Sequence, residues 1–159
     1  MSLRSSLTVK PIRVQRVIHA SADDLWALFA NPHRHPDLDG HGLADLIPGT
    51  TYGPQRLQAG DTFSVHMRYG PFTYVMNLFC VQSRPGKEVA WKSLAPALWR
   101  WSFKPLRPRQ TLVTGEWIPL RRAYAPLFAL IGAPTKNRQG LVGTLNRLEE
   151  LVAEMPHTS

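Results

Sequence analysis

The chain has 159 residues, 43% of them hydrophobic and 19% charged, with nineteen Lys and Arg against eleven Asp and Glu and a formal charge of +8. This length and composition predict one globular domain over residues 8–155 that buries roughly two-thirds of its unfolded surface, and they exclude a disordered chain. A single cysteine, Cys80, excludes an intrachain disulfide and points to a reducing, cytoplasmic setting.

The opening "MSLRSSLTVKP" lacks the apolar run of a signal peptide, and "YAPLFALIGAP" falls far short of the roughly 20 residues that span a bilayer, so no stable membrane insertion is expected. The basic residues are spread along the chain, with Arg121-Arg122 the sole adjacent pair, and no zinc-finger spacing or arginine-rich tail accompanies them. A solvated basic surface, without nucleic acid as partner, is the expectation.

"TVKPIRVQRVIHA" (8–20) is rich in β-branched residues and reads as a first strand. In "SADDLWALFAN" the period changes: Ser21 suits an N-cap, Asp23 and Asp24 the positive helix end, and Leu25, Trp26, Leu28 and Phe29 form an apolar face. Pro32 ends that helix, and a second short one is expected around Pro36 to Leu38, stopped by Gly40. From Gly60 to Ile118 the pattern is strand, turn, strand. In "TFSVHMRY", Phe63, Val65, Met67 and Tyr69 oppose Ser64, His66 and Arg68; in "LWRWSFKP", Trp99, Trp101 and Phe103 oppose Arg100, Ser102 and Lys104. The short turns imply an antiparallel meander. "RRAYAPLFALIG" fits a short helix or a structured loop. From Pro134 to Met155 a long helix is predicted, with Leu141, Leu145, Leu148, Val152 and Met155 on one stripe and Asn137, Arg138, Arg147, Glu149, Glu150 and Glu154 on its wet side. The predicted fold class is α+β: a curved antiparallel sheet around a long C-terminal helix, two short helices after the first strand, and an internal hydrophobic cavity.

This order, together with "VIHASADDLWALFANPHRHPDLDG", "GPQRLQAGDTF", "EVAWKS", "WRWSFKP" and "NRQGLVGTLNRLEELV", resembles the START-like helix-grip (SRPBCC) superfamily, in particular its polyketide cyclase/dehydrase-like branch. The likeness runs from about residue 9 to 153. It implies fold more than function, because the superfamily holds lipid carriers, receptors and cyclases.

"ANPHRHPDLDGHG" (30–42) holds half of the six histidines. Pro32 and Pro36 place His33 and His35 at a helix-to-helix corner rather than converging tetrahedrally, and His19, His66 and His157 stand apart, so no metal site is expected. The resemblance implies that this segment closes one end of the cavity, with His35, Asp37 and Asp39 at its mouth.

Trp26, Met67, Tyr69, Tyr74, Met76, Trp91, Trp99 and Trp101 are the candidate ligand-binding residues, since Met and aromatic linings adapt to irregular apolar molecules. Asn77 interrupts an apolar strand and Glu116 lies in the last one. They are the candidate catalytic residues, either able to polarise a carbonyl or move a proton if buried, while pairing with a surface arginine is the more ordinary role for Glu116. The strand phase stays open at this point, because a one-residue slip inverts it. Gly143 is expected on the Arg147 side of the last helix, leaving Gly140 as a cavity contact.

The expected function is binding of a hydrophobic or aromatic small molecule, lipid- or polyketide-like, with or without cyclase or dehydratase chemistry, without cofactor, by a monomer or homodimer. The competing expectation is a basic interaction module for nucleic acid or an anionic membrane surface, without chemistry.

Overall fold

The computed structural model describes residues 10–94 and 96–155. The expected first strand forms as β1, Ile12–Ile18, with Ile12, Val14 and Ile18 buried; residues 8 and 9 and His157 lie outside the described residues. Helix α1, Ala22–Phe29, begins where the Ser21 hydroxyl accepts a hydrogen bond from the Asp24 amide at 3.2 Å. It buries Leu25, Trp26, Leu28 and Phe29. Asn31 caps a 3-10 turn, Pro32–Arg34, by accepting from the His33 amide, and α2, His35–Leu38, follows directly.

The remaining strands are β2 (Asp45–Leu46), β3 (Thr62–Tyr69), β4 (Phe72–Arg84), β5 (Glu88–Ser93), β6 (Ala97–Arg107) and β7 (Gln110–Pro119). They form one antiparallel sheet in the order β1-β7-β6-β5-β4-β3-β2. The two-residue β2, pairing Asp45 with Arg68, is too short to announce itself by alternation. Pairing of β1 with β7 (Ile12 opposite Trp117) brings the first strand beside the last one. Register breaks between Cys80 and Gln82 in β4, and between Pro105 and Arg107 in β6, are the irregularities that let long strands bend. The sheet curls into a half-barrel.

The ambiguous "RRAYAPLFALIG" resolves into a 3-10 turn, Arg122–Tyr124, and a short helix α3, Ala125–Leu130. Helix α4, Ala133–Glu154, then crosses the concave side of the sheet and packs against β1 and β7. Its predicted stripe is buried at Leu141, Leu145, Leu148 and Val152. Each large core side chain on this helix removes apolar surface worth about 1.5–3 kcal/mol.

Two glycine pairs set how close α4 comes to the loop after α2. A Cβ on Gly40 would collide with the Gly140 carbonyl oxygen, and one on Gly143 with the Gly40 carbonyl oxygen. Gly143 faces this loop on the side of Arg147, whose Nε donates to the Asp37 carbonyl, and Gly140 borders the cavity, as expected from helical spacing; the helix has a second packed side there. Backbone against backbone has no side chain to yield. Gly40→Ala is expected to lower stability by about 1–3 kcal/mol, the usual range for overpacking a tight contact, read as a fall in the urea midpoint at unchanged slope.

Candidate functional site

A cavity of about 230 Å³ lies between the concave sheet face and α4. It exceeds the roughly 150 Å³ of an apolar core cavity that admits benzene. Phe63, Val65 and Met67 of β3, then Tyr74, Met76 and Leu78 of β4, form one wall. Trp91 of β5, Trp99 and Trp101 of β6 and Trp117 of β7 form another. The register explains this set: alternate residues of each strand face one side, and the Phe63 face is the concave one. Gly115 gives Trp101 its place, since a Cβ there would lie 2.5 Å from the indole ring.

Six of the eight expected ligand contacts thus stand on the cavity wall: Met67, Tyr74, Met76, Trp91, Trp99 and Trp101. Trp26 does not. Its indole Nε1 donates to the Glu88 carbonyl at 3.0 Å, and the Arg56 guanidinium sits 4.8 Å above the ring, so it ties α1 to β5. Tyr69 shares the parity of Met67 but lies at the hairpin end, 44% exposed.

The same parity places the two candidate catalytic residues on the other face of the sheet. Asn77 is exposed on the convex side, between Met76 and Leu78, which point inward. Glu116 flanks Trp117 on the outer face, 3.8 Å from Arg100 and opposite Arg13 of β1. Neither lines the cavity.

Helix α4 and the loops supply polar groups that spacing did not single out. Asn137 is 6% exposed and borders the cavity, and among the described residues its side-chain amide has no hydrogen-bond partner. The wet-side assignment fails because Asn137 lies four residues before Leu141, on the buried stripe itself. The Thr51 hydroxyl, also on the wall, is buried and unpaired. A buried hydroxyl without a partner costs on the order of 1–3 kcal/mol, so Thr51 is a group that an occupant, or water, satisfies, and the Asn137 amide stands ready at the same wall.

The three histidines of residues 30–42 go three ways. His33 meets the Gly53 carbonyl through Nε2 at 2.8 Å and stays exposed. His35 borders the cavity as expected, with Nε2 2.7 Å from the Phe29 carbonyl, its ring stacked on Trp91 at 4.7 Å and edge-on to Phe63. A carbonyl only accepts, so Nε2 carries the proton and Nδ1 holds a lone pair. Burial pulls the His35 pKa down to about 4, partly opposed by the bond to Phe29. His41, with φ 55°, lies 3.1 Å from Asp45 and 3.5 Å from Asp39.

Asp39 reaches the cavity wall; Asp37 does not, being exposed, paired with Arg34 at 2.9 Å and giving its carbonyl to Arg147. Ligand atoms of Asp39, His41 and Asp45 lie within 4.8 Å of one another, as a cation would require. Both Asp39 oxygens are nevertheless committed, accepting from the His41 amide at 3.1 Å and the Leu46 amide at 3.0 Å. The group reads as a clamp on the loop. Burial raises the Asp39 pKa, against the pull of those two amides.

The His35 shift has a measurable sign. Unfolded, its imidazole takes a proton near pH 6.5; folded, only near 4. Between those values the unfolded chain binds a proton that the folded one does not, so stability falls as pH drops through this window, by up to roughly 3 kcal/mol. His35→Phe keeps a ring against Trp91 and removes that component. Urea midpoints at neutral and mildly acidic pH are expected to differ more for the parent protein than for the variant.

Compared with known proteins, the chain is 31% identical over 150 residues to the uncharacterised protein Rv0088 of Mycobacterium tuberculosis strain H37Rv, covering 90% of this chain and 65% of that one. The chain thus spans under two-thirds of the length of the curated relatives it matches. No family model matches it. Among solved structures it is similar to protein NE0264 of Nitrosomonas europaea, with TM-score 0.70 and 13% identity over 91% of this chain and 95% of that one. It is also similar to the AHSA1-like protein of Aeromonas hydrophila, with TM-score 0.65 and 13% identity over 94% and 99% of the two chains. Protein Ms6760 of Mycobacterium smegmatis gives TM-score 0.65 and 12% identity over 91% of each chain.

Proposed function

We propose that this chain, which has the helix-grip fold of the START-like superfamily, binds an apolar, ring-bearing small molecule in the cavity between its sheet and α4. What carries this reading is the unpaired Asn137 amide inside a wall of Trp, Met and Phe side chains. An aromatic occupant gains burial against Trp91, Trp99 and Trp101, and a polar substituent on it satisfies Asn137 or Thr51.

Binding without chemistry is favoured over cyclase or dehydratase action. Asn77 and Glu116 lie outside the cavity, and His35, the imidazole on its wall, titrates near pH 4. A base that weak is poorly matched to proton abstraction near neutrality, where the useful pKa lies close to the operating pH. His35 serves better as a hydrogen-bond acceptor through Nδ1.

Titration with naphthalene and naphthol, followed by tryptophan fluorescence, tests the reading. Both are expected to bind saturably, naphthol more tightly. Asn137→Leu replaces the amide on the cavity border with an apolar side chain of similar size. The same variant is expected to weaken naphthol roughly tenfold and leave naphthalene unchanged. No saturable binding of either compound would contradict the proposal.

A further inference from the structure

One surface is left without a role by the cavity. Tyr124, Leu127, Leu130 and Ile131 recur at steps of three and four and project outward from α3 and its flanks, Leu130 being 83% exposed. Leu120 extends the same apolar surface, 49% exposed. The inner side of α3 buries Ala125 and Phe128, and Phe128 borders the cavity. A short helix apolar on both sides is uncovered on one of them, and such patches mark interaction sites.

The segment that carries these side chains holds charge of one sign. No Asp or Glu occurs between Glu116 and Glu149 in the sequence. Arg121, Arg122, Lys136 and Arg138 are all exposed, and among the described residues none of the four has an ion pair.

We propose that this face docks peripherally on an anionic lipid surface, with the Tyr124–Ile131 stripe entering the interface and Arg121, Arg122, Lys136 and Arg138 meeting headgroups. Aliphatic side chains on a short surface helix, with cations around them, carry the two signals that reversible interfacial binding needs: apolar burial and attraction to anionic lipid. Self-association through the same face would set four cations against four cations. A nucleic acid would leave Leu130 and Leu127 uncovered. No helix among the described residues is long and apolar enough to cross a membrane, so the contact lies at the surface. Docking would bring Phe128, and with it one wall of the cavity, next to the bilayer.

Co-sedimentation with vesicles tests this, comparing phosphatidylcholine alone with phosphatidylcholine carrying one part in four of phosphatidylglycerol. The protein is expected to bind the anionic vesicles at low salt and roughly tenfold more weakly at high salt or on neutral vesicles. Leu127→Ser with Leu130→Ser, and separately Arg121→Ser with Arg122→Ser, are each expected to lose about tenfold in this binding, at unchanged thermal midpoint and naphthol affinity. Lys104→Ser with Arg107→Ser removes two exposed cations at the opposite end of β6, and is expected to leave vesicle binding within about twofold. Equal binding to both vesicle types, no binding at all, or an equal loss from the Lys104 and Arg107 pair would overturn the proposal. So would a dimer that dissociates on the leucine substitutions and ignores vesicles.

Discussion

A curled seven-stranded sheet presents a concave face broader than a single helix can fill, and the rest of the molecule answers to that mismatch. The leucine stripe of α4 closes the end of the trough over β1 and β7 at Leu141, Leu145 and Leu148. Toward β3 to β6 the inward residues meet Phe29 of α1 and His35 of α2 rather than the leucine stripe. There the wall is built of large rings and thioethers, and space remains between them. Well-packed interiors leave few voids larger than a water molecule, so a cavity of about 230 Å³ departs from ordinary packing. Its apolar wall forgoes dispersion contacts that an occupant would restore.

Desolvation then decides what the few polar groups in that space do. His35, pinned by the Phe29 carbonyl and stacked on Trp91, is held neutral at physiological pH. Asn137 sits on the buried stripe where another leucine would pack. In ordinary cores such an amide is paired. Here Asn137 borders the cavity, where an occupant with a matching group can meet it. Glycines complete the arrangement from outside: Gly40 and Gly42 bring the loop after α2 against Gly140 and Gly143, so that Asp39 and Leu43 close one end of the space.

Much of this was legible in the residues. Alternation in "TFSVHMRY" and "LWRWSFKP" carried the inward rows of β3 and β6, and the step of three and four from Leu141 carried α4, because burial on one face leaves that periodicity behind. Ser21 as a cap followed from hydrogen-bond chemistry alone. The position of Asn77 and Glu116 was beyond reach, since either strand phase keeps a polar residue between apolar neighbours and only the tertiary register chooses. Trp26 and Tyr69 were misplaced because an apolar ring packs equally well against a helix junction or at a hairpin end. Asn137 did carry a signal, its spacing from Leu141, masked by the presumption that an amide on an amphipathic helix faces water. The two-residue β2 and the Asp39–His41–Asp45 clamp depend on contacts made across the loop, which local pattern does not record.

The central claim is that the space between sheet and α4 is a binding site whose polar anchor is Asn137. A crystal structure of the protein soaked with naphthol tests it most directly. The account predicts density for the rings against Trp91, Trp99 and Trp101, with the hydroxyl within hydrogen-bond distance of the Asn137 amide. Naphthol found only on the outer surface, or a cavity closed by repacking of Trp99 and Met76 with Asn137 turned to solvent, would contradict it.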